Sequence, residues 1–328
     1  MKNKEKIFAV APMMEWTDRH CRYFHRRFST HTLLYTEMLT AQAVMHGDRD
    51  RLLGFHDDEH PVALQLGGSD PQQLGEATRI ACDFGYGEIN LNVGCPSDRV
   101  QSGSFGAVLM KDPALVADCV RAMQRAANGV DITVKCRIGV DDQIVAETLP
   151  AFLARVSDTG MRSFTIHARK AWLHGLSPKE NRDVPPLDYD LVYAMKFQFP
   201  ALEICINGGI STLEQAEVHL AAGLDGVMIG RAAYHEPANI LAAADRRIFG
   251  AGPDTNAEQA VLDMLPYIEM EMGKGARLNQ ITRHMLGAFT GRPGARKWRR
   301  IISENAYKEG AGPELVLRAL DAVRAFGA

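Results

Sequence analysis

Eight short apolar or β-branched runs punctuate the first three quarters of the chain. They are IFAVAPM (7–13), LLYTEML (33–39), VALQLGG (62–68), EINLNVG (88–94), ITVKCRIG (132–139), SFTIHAR (163–169), EICINGG (203–209) and GVMIGR (226–231). Each has strand length and is rich in residues that suit a pleated surface. Between them lie segments whose apolar residues recur every three or four positions. DPALVADCVRAMQRAANG, with Leu115, Val116, Cys119, Val120 and Met123, is one, and TLEQAEVHLAAG is another. Strand alternating with helix predicts a parallel sheet, and eight such units predict a closed (β/α)8 TIM barrel of the α/β class. An open doubly wound sheet competes, but no G-x-G-x-x-G follows the first run. Beyond the polar stretch FGAGPDTNAEQA the pattern becomes helical throughout: AVLDMLPYIEMEMGKG, NQITRHMLGAFTG, GARKWRRIISENAYKEG and PELVLRALDAVRAFG. The expected division is a barrel over residues 1–248 and a small helical domain over 249–328.

Composition changes this picture little. No apolar stretch approaches the roughly 18 residues of a membrane span, and MKNKEKIFAVAPM enters the first strand with no signal-peptide core. A cytoplasmic protein is expected. The six cysteines show no CxxC and no Cys/His pair at ligand spacing, so neither disulfides nor a metal is expected. A net charge of −3 carries no global sign of nucleic acid. Locally, 292-RPGARKWRR-300 places five basic residues around Trp298, and such a face can serve RNA even in an acidic chain. Taken alone, it reads as a solvated helix face.

In a barrel, chemistry sits at the C-terminal ends of the strands. Polar residues collect there: Glu37, Gln65, Asn92, Cys95, Lys135, Arg137, His167, Arg169, Asn207 and Arg231. The last two units end in NGGIST and GRAAYHEP. Glycines that let backbone N–H groups approach closely, with an arginine beside a helix start, predict a phosphate cradle. Lys135 reads either as a Schiff-base lysine or as a cation beside an electron-rich ring. His167 lacks companions at metal-ligand spacing and suits hydrogen bonding, while the Gln65 amide suits the edge of a heterocycle. One phosphate, one cation and amide groups around a flat ring fit flavin mononucleotide better than a sugar phosphate.

The segments APMMEWTDRHCRYF, LQLGGSDP, NLNVGCPSDRVQSGSFGAVLM, TVKCRIGVDD, IHARKAWLHGLSPKENRDVPPLDY, INGGI and DGVMIGR together resemble the tRNA-dihydrouridine synthases, most closely the A-type subfamily that reduces uridines 20 and 20a. The resemblance runs through the barrel and on into TRHMLGAFTGRPGARKWRRIISENA. It implies FMN held by Ala11, Pro12, Met13, Gln65, Lys135, His167, Asn207, Gly208, Gly209, Gly230 and Arg231. It further implies NADPH (or NADH) as hydride donor, hydride delivery to C6 of uridine, and a proton from Cys95 to C5. At Val108 the chain departs from the subfamily, which often carries cysteine there; the departure touches packing and leaves Cys95 intact.

A cysteine thiol titrates at about 8.5 and is mostly protonated at neutral pH, which suits a general acid. Cys136, Cys205, Cys82 and Cys119 fit a packing role, but Cys95 opens a polar loop and fits it badly. Asn92 is expected to meet the substrate base. Arg169, Lys170, Lys179 and Arg182 lie on a loop too long for a plain connector, and with Arg296 and Arg299 of the tail they would offer phosphate contacts to the tRNA D-loop. No obligate protein partner is indicated. A reductase of a free pyrimidine or other small enone-like substrate would share the flavin site without needing the basic tail, and an RNA-binding module would not need Cys95.

Overall fold

All eight predicted runs form strands in the structure, a computed structural model that describes residues 6–97 and 105–326. They are β1 (Ile7–Val10), β2 (Leu33–Thr40), β3 (Val62–Gly67), β4 (Glu88–Val93), β5 (Asp131–Arg137), β6 (Ser163–His167), β7 (Glu203–Asn207) and β8 (Gly226–Ile229). Seven stop short of the end of their apolar run, because the last residues turn away into the mouth loops. β7, for instance, gives way to Gly208 and Gly209 at φ of 112° and 71°, a region that disfavours side chains. Every neighbouring pair is parallel, and β1 pairs with β8, which closes the barrel.

The interior is divided. Ala9, Ala11, Tyr35, Ala63 and Met228 form a small apolar cluster on the side of β1, β2, β3 and β8. The β4–β7 side is polar instead: Asn90, Asn92, Thr133, Thr165, His167 and Asn207 are buried there. Register aligns them, with Asn92 opposite Lys135, Arg137 opposite His167, and His167 opposite Asn207. A barrel interior filled only for stability would carry branched apolar residues at these positions.

The tail is helical, as its pattern predicts. The segment AVLDMLPYIEMEMGKG is split between Ala257–Leu262, which begins inside the stretch expected as linker, and Leu265–Gly273, where Pro266 takes a favoured place in the first turn. Leu278–Thr282, Ala295–Asn305 and Pro313–Arg324 follow. These helices share one continuous apolar core with the barrel. They dock on its first and last units. His284 Nε2 lies 3.0 Å from Asp18 Oδ2, Tyr267 stacks on Tyr23 at 3.8 Å, and the Thr290 hydroxyl donates to the His235 carbonyl. Gly287 is pressed against His235, where a Cβ would come within 2.3 Å of the carbonyl oxygen.

Candidate active site

Cys95 leaves β4 in a loop fixed by its backbone. Asn92 Oδ1 accepts from both Gly94 N (3.1 Å) and Cys95 N (2.9 Å), and the Cys95 carbonyl accepts from Ala107 N at 2.9 Å. The sulfur is half-buried, 3.5 Å from the Ser97 hydroxyl. The polar loop expected to follow, residues 98–104, lies outside the described residues. Val108 falls in the short turn Gly106–Lys111 and packs, half-buried, on the core.

Asn92, expected to meet a substrate base, spends its carbonyl on this loop and donates from Nδ2 to Gln65 Oε1 at 2.8 Å. Gln65 donates to Asn90, Asn90 to Thr133, and Thr133 to Glu88, at 2.8, 2.7 and 2.6 Å; Tyr35 also donates to Glu88. Burial raises the Glu88 carboxyl to about 7. A polar chain thus runs from the floor of the barrel to the cysteine loop.

Beside it stand the residues expected to hold a cofactor. Lys135 Nζ donates to Asn207 Oδ1 at 3.0 Å, and Asn207 Nδ2 donates to the Met228 carbonyl at 2.8 Å. Burial, with Arg137 as a second cause, lowers the Lys135 ammonium to about 8. Burial and the cations Arg137 and Lys135 push His167 well below its ordinary range, so its ring is neutral at physiological pH. Gly208 lies against that ring: a Cβ there would sit 2.4 Å from His167 Cδ2. Across the mouth, Ala11 hydrogen-bonds Ile229 and Met13 bonds Thr17, while Gly230 faces Ala11 and Met13 across space a Cβ could enter, 3.6 Å from each. Pro12 links Ala11 to Met13. Arg231 starts the helix after β8 and pairs with Asp183 at 2.8 Å.

These residues fit a flat, electron-rich, phosphate-bearing group. Among the described residues, Lys135 is a partly buried cation with one hydrogen bond, and the Nε of Arg169 is buried with no hydrogen-bond partner. Both would be stabilised by an anionic or electron-rich neighbour. The Lys135 shift has a measurable sign. Between about pH 8 and 10.5 the unfolded chain binds the proton that the folded chain has lost, so folding is penalised below pH 8 and the penalty fades as pH rises. In protein freed of bound ligand, the wild type should therefore gain stability relative to Lys135→Met between pH 8 and 10.5. Parallel urea-unfolding curves for the two across that range would contradict the shift.

Two arrangements escape sequence reading. Arg137, buried, donates from Nε to the Gly94 carbonyl at 2.9 Å and from Nη1 to the carbonyls of Lys170 (3.1 Å) and Asn181 (3.0 Å). Asn181 is fully buried and bonds both the N–H and the carbonyl of Trp172. Of the residues expected to contact RNA, Arg169 bonds the Pro185 carbonyl and Lys170 sits over the Trp172 ring. Lys179 and Arg182 are exposed around the turn Glu180–Arg182. Arg296 and Arg299 are exposed on the Ala295–Asn305 helix, whose Trp298 is buried and donates to the Met285 carbonyl.

Among solved structures, the barrel is similar to morphinone reductase (TM-score 0.52, 12% identity, 76% of this chain and 87% of that one). It is similar as well to an old yellow enzyme homologue from Zymomonas mobilis (TM-score 0.53, 11% identity, 76% and 90%). At such low identity these likenesses establish the fold. Curated proteins called tRNA-dihydrouridine(20/20a) synthase are far more similar. The one from Vibrio cholerae is 57% identical over 95% of each chain. That from Shewanella oneidensis is 55% identical over 98% of this chain and 96% of its own, and that from Escherichia coli K12 57% identical over 96% and 91%. The family described as Dihydrouridine synthase (Dus) matches residues 9–324. The protein is thus an oxidoreductase built on a TIM barrel. It belongs to the dihydrouridine synthase family. That membership leaves the Schiff-base reading of Lys135 without support.

Proposed function

We propose that this protein reduces the C5–C6 double bond of D-loop uridines 20 and 20a in tRNA, using FMN in the barrel mouth and NADPH as the source of hydride. The observation that carries the reading is the Cys95 loop, clamped by Asn92, which stands opposite Lys135 in the barrel register and so beside the polar wall of Lys135, His167 and Asn207. Lys135, His167, Asn207, Gln65 and the glycine pairs would hold the cofactor, with Arg231 and the β7 and β8 loops at its phosphate. When bound, FMN supplies the hydride that C6 receives. Cys95 gives its thiol proton to C5, so the added hydride and proton saturate the ring, while NADPH leaves as NADP⁺. Asn92 keeps the cysteine in place through the backbone, and neutral His167 offers ring nitrogens without adding charge beside Lys135.

Residues 1–248 act as the catalytic barrel and 249–328 as the tRNA-binding portion, with Arg296 and Arg299 joining Arg169, Lys170, Lys179 and Arg182 at the phosphate backbone. The protein works in the cytoplasm, and no helix among the described residues is long and apolar enough to cross a membrane. The test is spectroscopic. The purified protein should show a flavin spectrum that NADPH bleaches, and without air the colour should return only on adding unmodified tRNA. Return with free uracil and not with tRNA would favour a small-molecule reductase.

A further inference from the structure

Trp172 is 38% exposed on the long loop after β6, yet its backbone is among the most firmly held in that loop. Asn181 Oδ1 accepts from Trp172 N at 2.8 Å, and Asn181 Nδ2 donates to the Trp172 carbonyl at 2.9 Å. Leu173 N, next along, donates to Asp141 Oδ1 at 2.8 Å. The fully buried Asn181 also donates to the carbonyls of Leu176 (3.1 Å) and Ser177 (3.4 Å), so one asparagine pins the whole turn that carries the exposed indole. Among the described residues no other ring stacks on the indole, and its cationic neighbour is Lys170, 5.7 Å from the ring centroid.

The position of this ring is tied to the chemistry. Arg137 holds the Lys170 carbonyl at 3.1 Å and the Gly94 carbonyl at 2.9 Å, so one guanidinium spans the gap between the Trp172 loop and the residue before Cys95. An exposed aromatic on a firmly held backbone, with a lysine 5.7 Å over its ring and one guanidinium's reach from the cysteine loop, has the character of a platform for an unpaired nucleobase. The ring takes the base face and the cation takes the phosphate. Resting on the tRNA reading above, we propose that Lys170 and Trp172 form a stacking subsite for the nucleobase adjacent to the target uridine. Arg137 and Asn181 are its positioning residues. Such a site would grip the D-loop at the step where the target base leaves its stack, and would bind a neighbour of any identity, because every base presents a π-face.

A double-mutant cycle between protein and RNA tests this. Wild type, Trp172→Ala and Trp172→Phe are titrated with a full-length tRNA transcript and with transcripts abasic at the nucleotide on either side of the target. With intact tRNA, Trp172→Ala should bind about ten-fold more weakly and Trp172→Phe within about three-fold of wild type. One abasic transcript should erase the difference between the wild type and the alanine variant. If the penalty of Trp172→Ala is the same on all three transcripts, or absent, the subsite is wrong while the synthase reading stands. A wild-type protein that does not bind intact tRNA would remove both.

Discussion

Replacing Cys95 with alanine should cut dihydrouridine formation by about two to four orders of magnitude and leave tRNA affinity near wild type. The separation is expected because the loop is held chiefly through its backbone, the sulfur adding only its long 3.5 Å contact to the Ser97 hydroxyl. Asn92 receives the Cys95 backbone N–H, and the Cys95 carbonyl receives the Ala107 N–H. Alanine keeps both bonds and the small volume, so the substitution removes a proton donor and little else. Serine should restore little, because a hydroxyl is a far weaker acid than a thiol. Single-turnover reduction of an unmodified transcript, started from reduced enzyme without air, isolates the step from product release. Wild-type rates in Cys95→Ala would end the assignment of Cys95 as acid.

The second large effect lies in the scaffold. Arg22 Nε pairs with Glu59 Oε2 at 2.7 Å, with both side chains buried, and Arg22 Nη1 also donates to the Thr17 carbonyl at 2.8 Å. Besides the arginine, the Glu59 carboxylate accepts only from the His56 N–H among the described hydrogen bonds. Arg22→Met would leave a buried carboxylate with that single donor, and such an orphaned charge costs about 3–5 kcal/mol. Set against a typical total of about 5–15 kcal/mol, that is enough to unfold part of the population at moderate temperature. Arg22→Met with Glu59→Gln should recover part of the loss, because no charge is then left unpaired. Urea unfolding of the three proteins measures it, and a loss below about 1 kcal/mol for Arg22→Met would mean water reaches Glu59. The stakes extend beyond the pair, since the helix Arg19–Arg26 that carries Arg22 also presents Tyr23 to Tyr267 of the tail.

The barrel was legible because its signals are local. Apolar runs of strand length, separated by helical spacing, fix eight units without knowledge of any partner, and the C-terminal rule then gathers Gln65, Lys135, His167 and Asn207 at one end. Asn90 and Asn92 carried a readable signal as well, since their two-residue spacing on β4 puts both inside. What they bond could not be read. The partner of a barrel side chain depends on register between strands and on which loop returns overhead, and neither leaves a period in the sequence. Arg137 looked like another cation for the mouth, yet three loop carbonyls consume it. Asn181 sits in a stretch that reads as polar connector and is fully buried. The docking of the tail was hidden for the same reason, since Asp18 and His284 meet only in three dimensions.

That β1 pairs with β8 also gives the protein a sense of time during its synthesis. Until residues 226–230 have left the ribosome, one edge of the first strand has no ladder to complete, and Ala11 and Met13 have no Gly230 to face. The fastening of Asp18 to His284 waits longer still. A nascent chain therefore carries an open-sided mouth through most of its synthesis, and Cys95, Lys135 and the glycines of the last two units come together only as translation ends.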